Sequence, residues 1–127
     1  MKQALLIVGF GDVARRALPG LGRRFEITRL SRRHGFDLDR PETLRLEGAD
    51  ALLHCAPPAS EGETDNRTAN LLTALEKGRI LPARLVYVST SGVYGDCAGA
   101  RVDESRPPAP RTARARRRLD AERRLTR

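Results

Sequence analysis

The sequence is poor in aromatic residues and in lysine. Its 127 residues contain no tryptophan, three phenylalanines and two tyrosines, so a hydrophobic core has to be built from Leu, Val, Ile and Ala. So few aromatic rings argue against the base-stacking surface of most single-strand nucleic-acid binders. A chain of this length holds one domain, and we expect that domain to span residues 1–127.

Cysteine and long apolar segments are also scarce. Cys55 and Cys97 are the two cysteines, too few for a disulfide scaffold and without the spaced partners of a metal site. We therefore expect reduced thiols and no structural metal. No apolar run approaches the roughly 20 residues that cross a bilayer, and the first residues lack the features of a signal peptide. The sequence thus predicts a cytoplasmic protein with no membrane partner.

Positive charge is in excess and is unevenly distributed. The formal net charge is +8, of which residues 1–100 carry +2 and residues 101–127 carry +6. A basic terminal run can neutralise phosphates. However, 22 arginines against 2 lysines, together with abundant alanine, are also what a GC-rich coding background produces. We therefore expect that nucleic acid is not the partner.

Strand and helix signals alternate along the chain. The apolar run at residues 4–8, bounded by Gly9, is typical of a strand buried on both faces. Pro19 is expected to kink or end the first helix. The patterns predict strands at residues 2–8, 25–30, 35–38, 50–55 and 84–88, helices at residues 12–21, 41–46, 64–77 and 112–126, and a long loop at residues 89–110. This order predicts an α/β fold, a Rossmann-type, three-layer, doubly wound parallel sheet of about five strands.

A GxGxxA motif, GFGDVA at residues 9–14, lies between the first strand and the first helix. In a dinucleotide site the first glycine permits a tight turn, the second lets the backbone approach a pyrophosphate, and the alanine lets the helix pack closely. Amide groups at the helix start then face the phosphates. We assign the cofactor contacts here to Gly9, Phe10, Gly11, Asp12 and Val13.

Two points about this motif stay open. An ordinary glycine turn entering a helix would have the same pattern. The Asp12 carboxylate would repel a phosphate unless it points outward and caps the helix.

Ser31, Arg32 and Arg33 follow the second predicted strand. An NAD site has Asp or Glu here for the ribose hydroxyls, whereas two guanidinium groups and a hydroxyl suit a 2′-phosphate. The segment therefore favours NADP over NAD, with two solvated loop arginines as the alternative. Asp37 and Leu38 could border the adenine or end a short strand.

The segment VSTSGVYGD at residues 88–96 completes a set of motifs that resembles a known family. With GFGDVA, with HCAPP at residues 54–58, and with VDE at residues 102–104 before a proline-rich segment and a last helix, the chain resembles the extended short-chain dehydrogenases/reductases of the NAD-dependent epimerase/dehydratase kind. The resemblance covers nearly the whole chain, and STSGVYGD is its most specific part.

The resemblance implies an NAD(P)-dependent oxidoreductase or epimerase acting on a carbonyl, such as that of a nucleotide sugar. The family's chemistry uses a Ser or Thr, a Tyr and a Lys. Thr90 matches the hydroxyl, but Arg114 stands at the place of the Tyr and Arg118 at that of the Lys. An arginine stays protonated, so Arg114 could polarise a carbonyl but exchanges a proton poorly, while Arg118 could hold the nicotinamide ribose.

The resemblance also implies smaller roles for several other residues. Tyr94 has a positioning counterpart in the family and could replace the lost phenol. The cofactor passes the end of the fourth predicted strand, which we assign to His54, Cys55, Ala56 and Pro57. A packed histidine and an inert buried thiol are the alternative there.

Two functions follow from the resemblance. One is the carbonyl-directed enzyme, and the other is a catalytically silent NADP(H)-binding module or sensor, as in atypical members of the family. The family is about twice as long as this chain, so we expect a truncated protein. A second copy of the chain could then cover its open sheet edge as a homo-oligomer.

Overall fold

The computed structural model describes residues 2–126. Within this range, four strands and three longer helices follow one another. They are β1 (Gln3–Val8), α1 (Asp12–Leu21), β2 (Phe25–Leu30), β3 (Ala51–His54), α2 (Asn66–Lys77), β4 (Arg84–Tyr87) and α3 (Ala113–Leu125). Short 3-10 turns lie at Arg32–His34, Pro41–Thr43 and Ser91–Tyr94. None of the described helices is long and apolar enough to cross a membrane.

The four strands form one parallel sheet in the order β2-β1-β3-β4. Val8 at the end of β1 is in register with Leu30 of β2 and with His54 of β3, so the carboxyl ends of the strands lie along one edge. The chain moves outward to β2 on one side of β1 and to β3 and β4 on the other. The space between β1 and β3 is therefore the topological switch point, where folds of this kind bind ligands.

Hydrophobic cores cover both faces of the sheet because successive strand side chains point to opposite sides. The α2-side core contains Leu6, Val8 and Leu52 of the sheet with Leu71 and Leu75 of α2. The α1-side core contains Leu5 and Ile7 of β1 with Ala14, Leu18 and Leu21 of α1. Helices on opposite faces of a parallel sheet confirm the predicted doubly wound Rossmann-type fold.

The strand predicted at residues 35–38 is wrong, and the described residues form a sheet of four strands, close to the expected count of about five. Gly35 has a left-handed backbone, with φ of +79°, and the N–H groups of His34 and Phe36 both donate to the carbonyl of Ser31. These local bonds replace a strand ladder. Phe36 and Leu38 are nevertheless buried in the α2-side core, which explains why their spacing resembled a strand.

The helix predicted at residues 41–46 is also wrong, because only the single turn Pro41–Thr43 forms. The Thr43 hydroxyl bonds to the carbonyls of Asp37 and Arg40, and Leu44 leaves helical geometry with ψ of 77°. The other predicted helices and strands agree with the structure to within two residues at each end. Pro19 lies inside α1, which ends two residues later at Leu21.

The chain divides into two compact units. The strand unit comprises the residues up to Pro57 together with Asn70–Val88, and the tail unit comprises Pro58–Ala69 and the chain from Ser89 onward. The strand unit holds the sheet, α1 and both hydrophobic cores. The tail unit holds the 3-10 turn Ser91–Tyr94 and α3.

Candidate functional site

The turn after β1 in the strand unit strongly favours glycine at position 9. Gly9 has φ of +82°, and its N–H donates to the carbonyl of Leu30 over 2.8 Å. A Cβ on Gly9 would lie 2.7 Å from the backbone N and Cα of Ala56. The turn is therefore pressed against the residue that follows β3, at the switch point of the sheet.

The start of α1 beside this turn is open. A Cβ built on Gly11 meets no atom within 4 Å, and Gly11 has no side chain with which to cap the helix. The first N–H groups of a helix have no acceptor inside the helix, so those of α1 are available to an anion. Ala14 is fully buried, whereas Val13 is 54% exposed, which leaves an apolar surface next to the open amides.

Asp12 is less of an obstacle to an anion than its sequence position suggested. Its carboxylate accepts from Nε of Arg16 over 3.0 Å, and both side chains are exposed. Asp12 is the first residue of α1 and not its cap. The carboxylate is thus turned along the outer face of the helix, and its charge is partly offset there.

Phe10, between the two glycines, has a partner that the sequence did not suggest. The half-buried ring packs against the α1-side core, and the guanidinium carbon of Arg29 lies 4.9 Å from its centroid. The sequence offered one hint of this contact: Arg29 follows Phe25 and Ile27 at alternate positions of β2 and therefore shares their face.

The structure places Ser31, Arg32 and Arg33 on one turn directly after β2. Arg32 and Arg33 are exposed and belong to the 3-10 turn that Ser31 precedes. The Ser31 hydroxyl lies 2.8 Å from Nδ1 of His34, a neighbour that sequence reasoning did not include. Two guanidinium groups and a hydroxyl on one short turn are a donor set that fits a phosphate monoester.

Asp37 and Leu38 have structural roles in the strand unit. Asp37 accepts the N–H of Asp39 over 3.0 Å. Leu38 is 7% exposed in the α2-side core, and its carbonyl accepts from the Asn70 amide over 2.7 Å. Their assignment to the adenine stays a prediction.

The segment after β3 combines a buried side chain with close backbone contact. His54 is fully buried, and its ring centroid is 4.9 Å from that of Tyr87. Burial raises the pKa of the half-buried Cys55 thiol above its ordinary value, which disfavours the reactive thiolate. Both findings fit the packed histidine and inert thiol. Ala56 lies against Gly9, and Pro57 is exposed.

In the tail unit, Thr90 directly precedes and caps the 3-10 turn that carries Tyr94. Thr90 is exposed, and its hydroxyl oxygen accepts the N–H of Gly92 over 3.3 Å. Because that bond uses an oxygen lone pair, the hydroxyl hydrogen remains able to donate to another group. Tyr94 is half-buried at the end of the same turn.

Helix α3 carries Arg114 and Arg118, which the resemblance predicts to stand at the places of a Tyr and a Lys. The hydroxyl of Thr112 accepts the N–H of Ala115 over 3.0 Å and caps the helix. Arg114 is exposed and Arg118 is half-buried, and a spacing of four places them on one face. Residues 113–125 contain neither tyrosine nor lysine.

Comparisons with known proteins support the fold. No protein-family model matches the sequence, and no curated protein matches it. RMD from Pseudomonas aeruginosa, solved with NADPH, is 25% identical with a TM-score of 0.72, covering 94% of this chain and 46% of that one. A conserved protein of unknown function from Silicibacter pomeroyi is 29% identical with a TM-score of 0.75, covering 98% and 48%.

A further match shows the same fold at lower identity. A short-chain dehydrogenase/reductase superfamily protein from Agrobacterium tumefaciens, solved with NAD, is 23% identical with a TM-score of 0.71, covering 96% of this chain and 44% of that one. UDP-sugar 4-epimerases are also among the matches. The chain therefore has the fold of NAD(P)-binding epimerases and reductases, and it spans less than half the length of the three described.

Proposed function

We propose that this chain binds a nicotinamide dinucleotide and prefers NADP(H) to NAD(H). The observation that carries the proposal is the Gly9 turn. Its backbone is left-handed, a Cβ on Gly9 would lie 2.7 Å from the Ala56 backbone, and an open helix start lies beside it. A dinucleotide pyrophosphate uses this arrangement of turn and helix amides. The solved relatives with NADPH and with NAD support the same class of ligand.

The residues of the strand unit suit the parts of such a cofactor. The backbone of Gly9, Phe10, Gly11, Asp12 and Val13 would meet the pyrophosphate. Ser31, Arg32 and Arg33 would meet the 2′-phosphate, Asp37 and Leu38 would border the adenine, and the segment His54, Cys55, Ala56 and Pro57 would flank the other side of the switch point. The nicotinamide, when bound, supplies a hydride donor or acceptor.

The tail unit carries the groups proposed for carbonyl chemistry of the epimerase or reductase type. Thr90 would donate its hydroxyl hydrogen to a carbonyl oxygen of a nucleotide sugar or a similar metabolite. Arg114 would polarise that carbonyl, Arg118 would hold a ribose, and Tyr94 would position the substrate or provide a phenol. This proposal rests on the resemblance and on the exposed position of Thr90.

The alternative is a dinucleotide-binding module without turnover, and the composition of α3 favours it. The family's phenol exchanges a proton as hydride moves, whereas a guanidinium stays protonated in any realistic site. Arg114 is therefore a poor replacement for the proton-transferring phenol, and residues 113–125 contain no tyrosine.

Binding and turnover measured on one preparation separate these functions. We expect NADPH fluorescence to change saturably on addition of the protein, with NADH binding more weakly. Oxidation of NADPH that depends on one member of a carbonyl panel would establish the enzyme. Binding without any turnover would establish the silent module, and failure to bind either dinucleotide would refute the proposal as a whole.

A further inference from the structure

Arg29 has a position that the fold itself does not require. On β2 the side chains of Phe25, Ile27 and Arg29 point to the same face, and the first two pack into the α1-side core. Arg29 pairs across the sheet with the fully buried Ile7 of β1, yet it is charged and exposed. The row of side chains on this face of β2 therefore ends in a charged residue at the carboxyl edge of the sheet. Core packing does not explain why that residue is an arginine.

The contact that Arg29 makes is with the turn after β1. Its guanidinium carbon lies over the Phe10 ring at 4.9 Å from the centroid, within the range of about 6 Å for a cation–π interaction. The next residue, Leu30, accepts the N–H of Gly9 over 2.8 Å. The end of β2 thus makes two contacts with the turn: a main-chain hydrogen bond to Gly9 and a side-chain contact with Phe10.

Phe10 is the one side chain between two glycines, and glycine has the widest backbone freedom of all residues. Whatever fixes the Phe10 ring therefore also restrains the backbone of the turn. The core contact restrains the ring from the protein interior, and the Arg29 guanidinium covers its face.

We propose that Arg29 is a positioning residue for the dinucleotide site, stacking on Phe10 to hold the Gly9–Gly11 backbone where its N–H groups meet a phosphate. The inference rests on the proposed function. Arg29 acts through Phe10 and not on the ligand, so its loss affects NADPH and NADH equally. Arg32 and Arg33, in contrast, act on the 2′-phosphate and affect NADPH alone.

Three variants test the role of Arg29. R29M introduces an uncharged, apolar side chain of similar length in place of the planar guanidinium. R29K keeps the positive charge but lacks the planar group that stacks on the ring. R24M is the matched control, because exposed Arg24 lies just before the other end of β2. The readouts are amide hydrogen exchange at Gly9 and Ile7 in the free protein and the affinities for NADPH and NADH.

We expect R29M to lower the protection of the Gly9 amide by about two- to fivefold, the factor that corresponds to a cation–π energy of about 0.5–1 kcal/mol. Protection at Ile7 should stay unchanged, since a loss there would indicate a general structural role. Both affinities should fall by a similar factor. R29K should be intermediate, R24M should match the unaltered protein, and R29M should add nothing in an F10L background.

Unchanged Gly9 protection in R29M would overturn the proposal, as would an R29M effect that persists in F10L. An affinity loss confined to NADPH would also overturn it, because Arg29 would then contact the 2′-phosphate directly. If the unaltered protein binds neither dinucleotide, the proposed function fails. The Gly9 exchange rates then still decide whether Arg29 orders the turn.

Discussion

At the scale of single residues, Gly9 carries the strictest requirement. Alanine at this position combines a left-handed backbone with a Cβ 2.7 Å from the Ala56 backbone. We expect G9A to lower the free energy of unfolding by about 1–3 kcal/mol or more and to abolish dinucleotide binding. Urea unfolding and an NADPH titration measure the two effects.

Gly48 provides the matched control for G9A. A Cβ at Gly48 meets nothing within 4 Å, so G48A should leave the unfolding free energy unchanged or raise it by about 0.4–1 kcal/mol. Equal effects of G9A and G48A would show that the close approach to Ala56 has no energetic weight.

Arg32 and Arg33 are the residues on which cofactor preference depends. Charge-assisted hydrogen bonds contribute about 1.5–3 kcal/mol each, so R32A with R33A should reduce the ratio of NADPH to NADH affinity at least about tenfold. Isothermal titration with both cofactors measures the ratio. R23A with R24A removes another exposed adjacent pair and should leave it unchanged. A ratio that does not move in R32A/R33A refutes the 2′-phosphate assignment.

At the scale of secondary structure, α3 depends on its cap. The Thr112 hydroxyl accepts the Ala115 N–H over 3.0 Å, and loss of such a cap costs about 1 kcal/mol. We expect T112A to lower the unfolding free energy by about that amount in urea denaturation followed by circular dichroism. T112S is the matched control, because serine keeps the capping hydroxyl, and it should change the unfolding free energy by less than about 0.5 kcal/mol. A loss in T112S as large as that in T112A would contradict the capping role.

The sequence was sufficient for those secondary-structure elements whose pattern is local. The apolar run of β1 and the glycine turn after it determine both the strand and the start of α1, and the structure confirms them. Residues 35–46 were mispredicted because their conformation depends on partners elsewhere. Leu38 is held by Asn70, and Phe36 is buried in a core built by β1, β3 and α2.

The candidate site was likewise predictable where its pattern is local and unpredictable where it depends on residues of another element. The positions of Gly9 and Gly11 within a strand–turn–helix segment were readable from spacing. The Phe10–Arg29 contact was not, since it joins residues on two different elements and depends on the register of β1 with β2. Asp12 pairs with Arg16 at helical spacing, a pairing that the sequence permitted but that prediction did not use.

At the scale of the whole molecule, the basic excess after residue 100 is partly used inside the tail unit. Arg116 pairs with Glu63 over 3.0 Å, Arg117 donates to the Gly62 carbonyl over 2.7 Å, and Arg124 pairs with Asp120 over 2.7 Å. These contacts give the arginines a structural explanation beside the compositional one.

The sheet edge at β4 bears on self-association. Within the described chain β4 pairs with β3 alone, and Val86 on it is 58% exposed. We expect the protein to self-associate as its concentration rises, measured by sedimentation velocity. V86K should lower this association, because a charged edge opposes strand pairing.

L81K is the control, since Leu81 is 93% exposed but lies before the strand. Equal effects of V86K and L81K would indicate general apolar contact and not edge pairing. A protein that stays monomeric at all concentrations would contradict the expectation.

The most direct test of dinucleotide binding at the glycine turn is an NMR titration of the free protein with NADPH and then with NADH. We expect saturable shifts of the Gly9, Gly11 and Val13 amides with both cofactors, and of the Arg32 and Arg33 amides with NADPH in particular. The absence of saturable shifts at the glycine turn, or shifts restricted to residues 101–127, would contradict dinucleotide binding at this site.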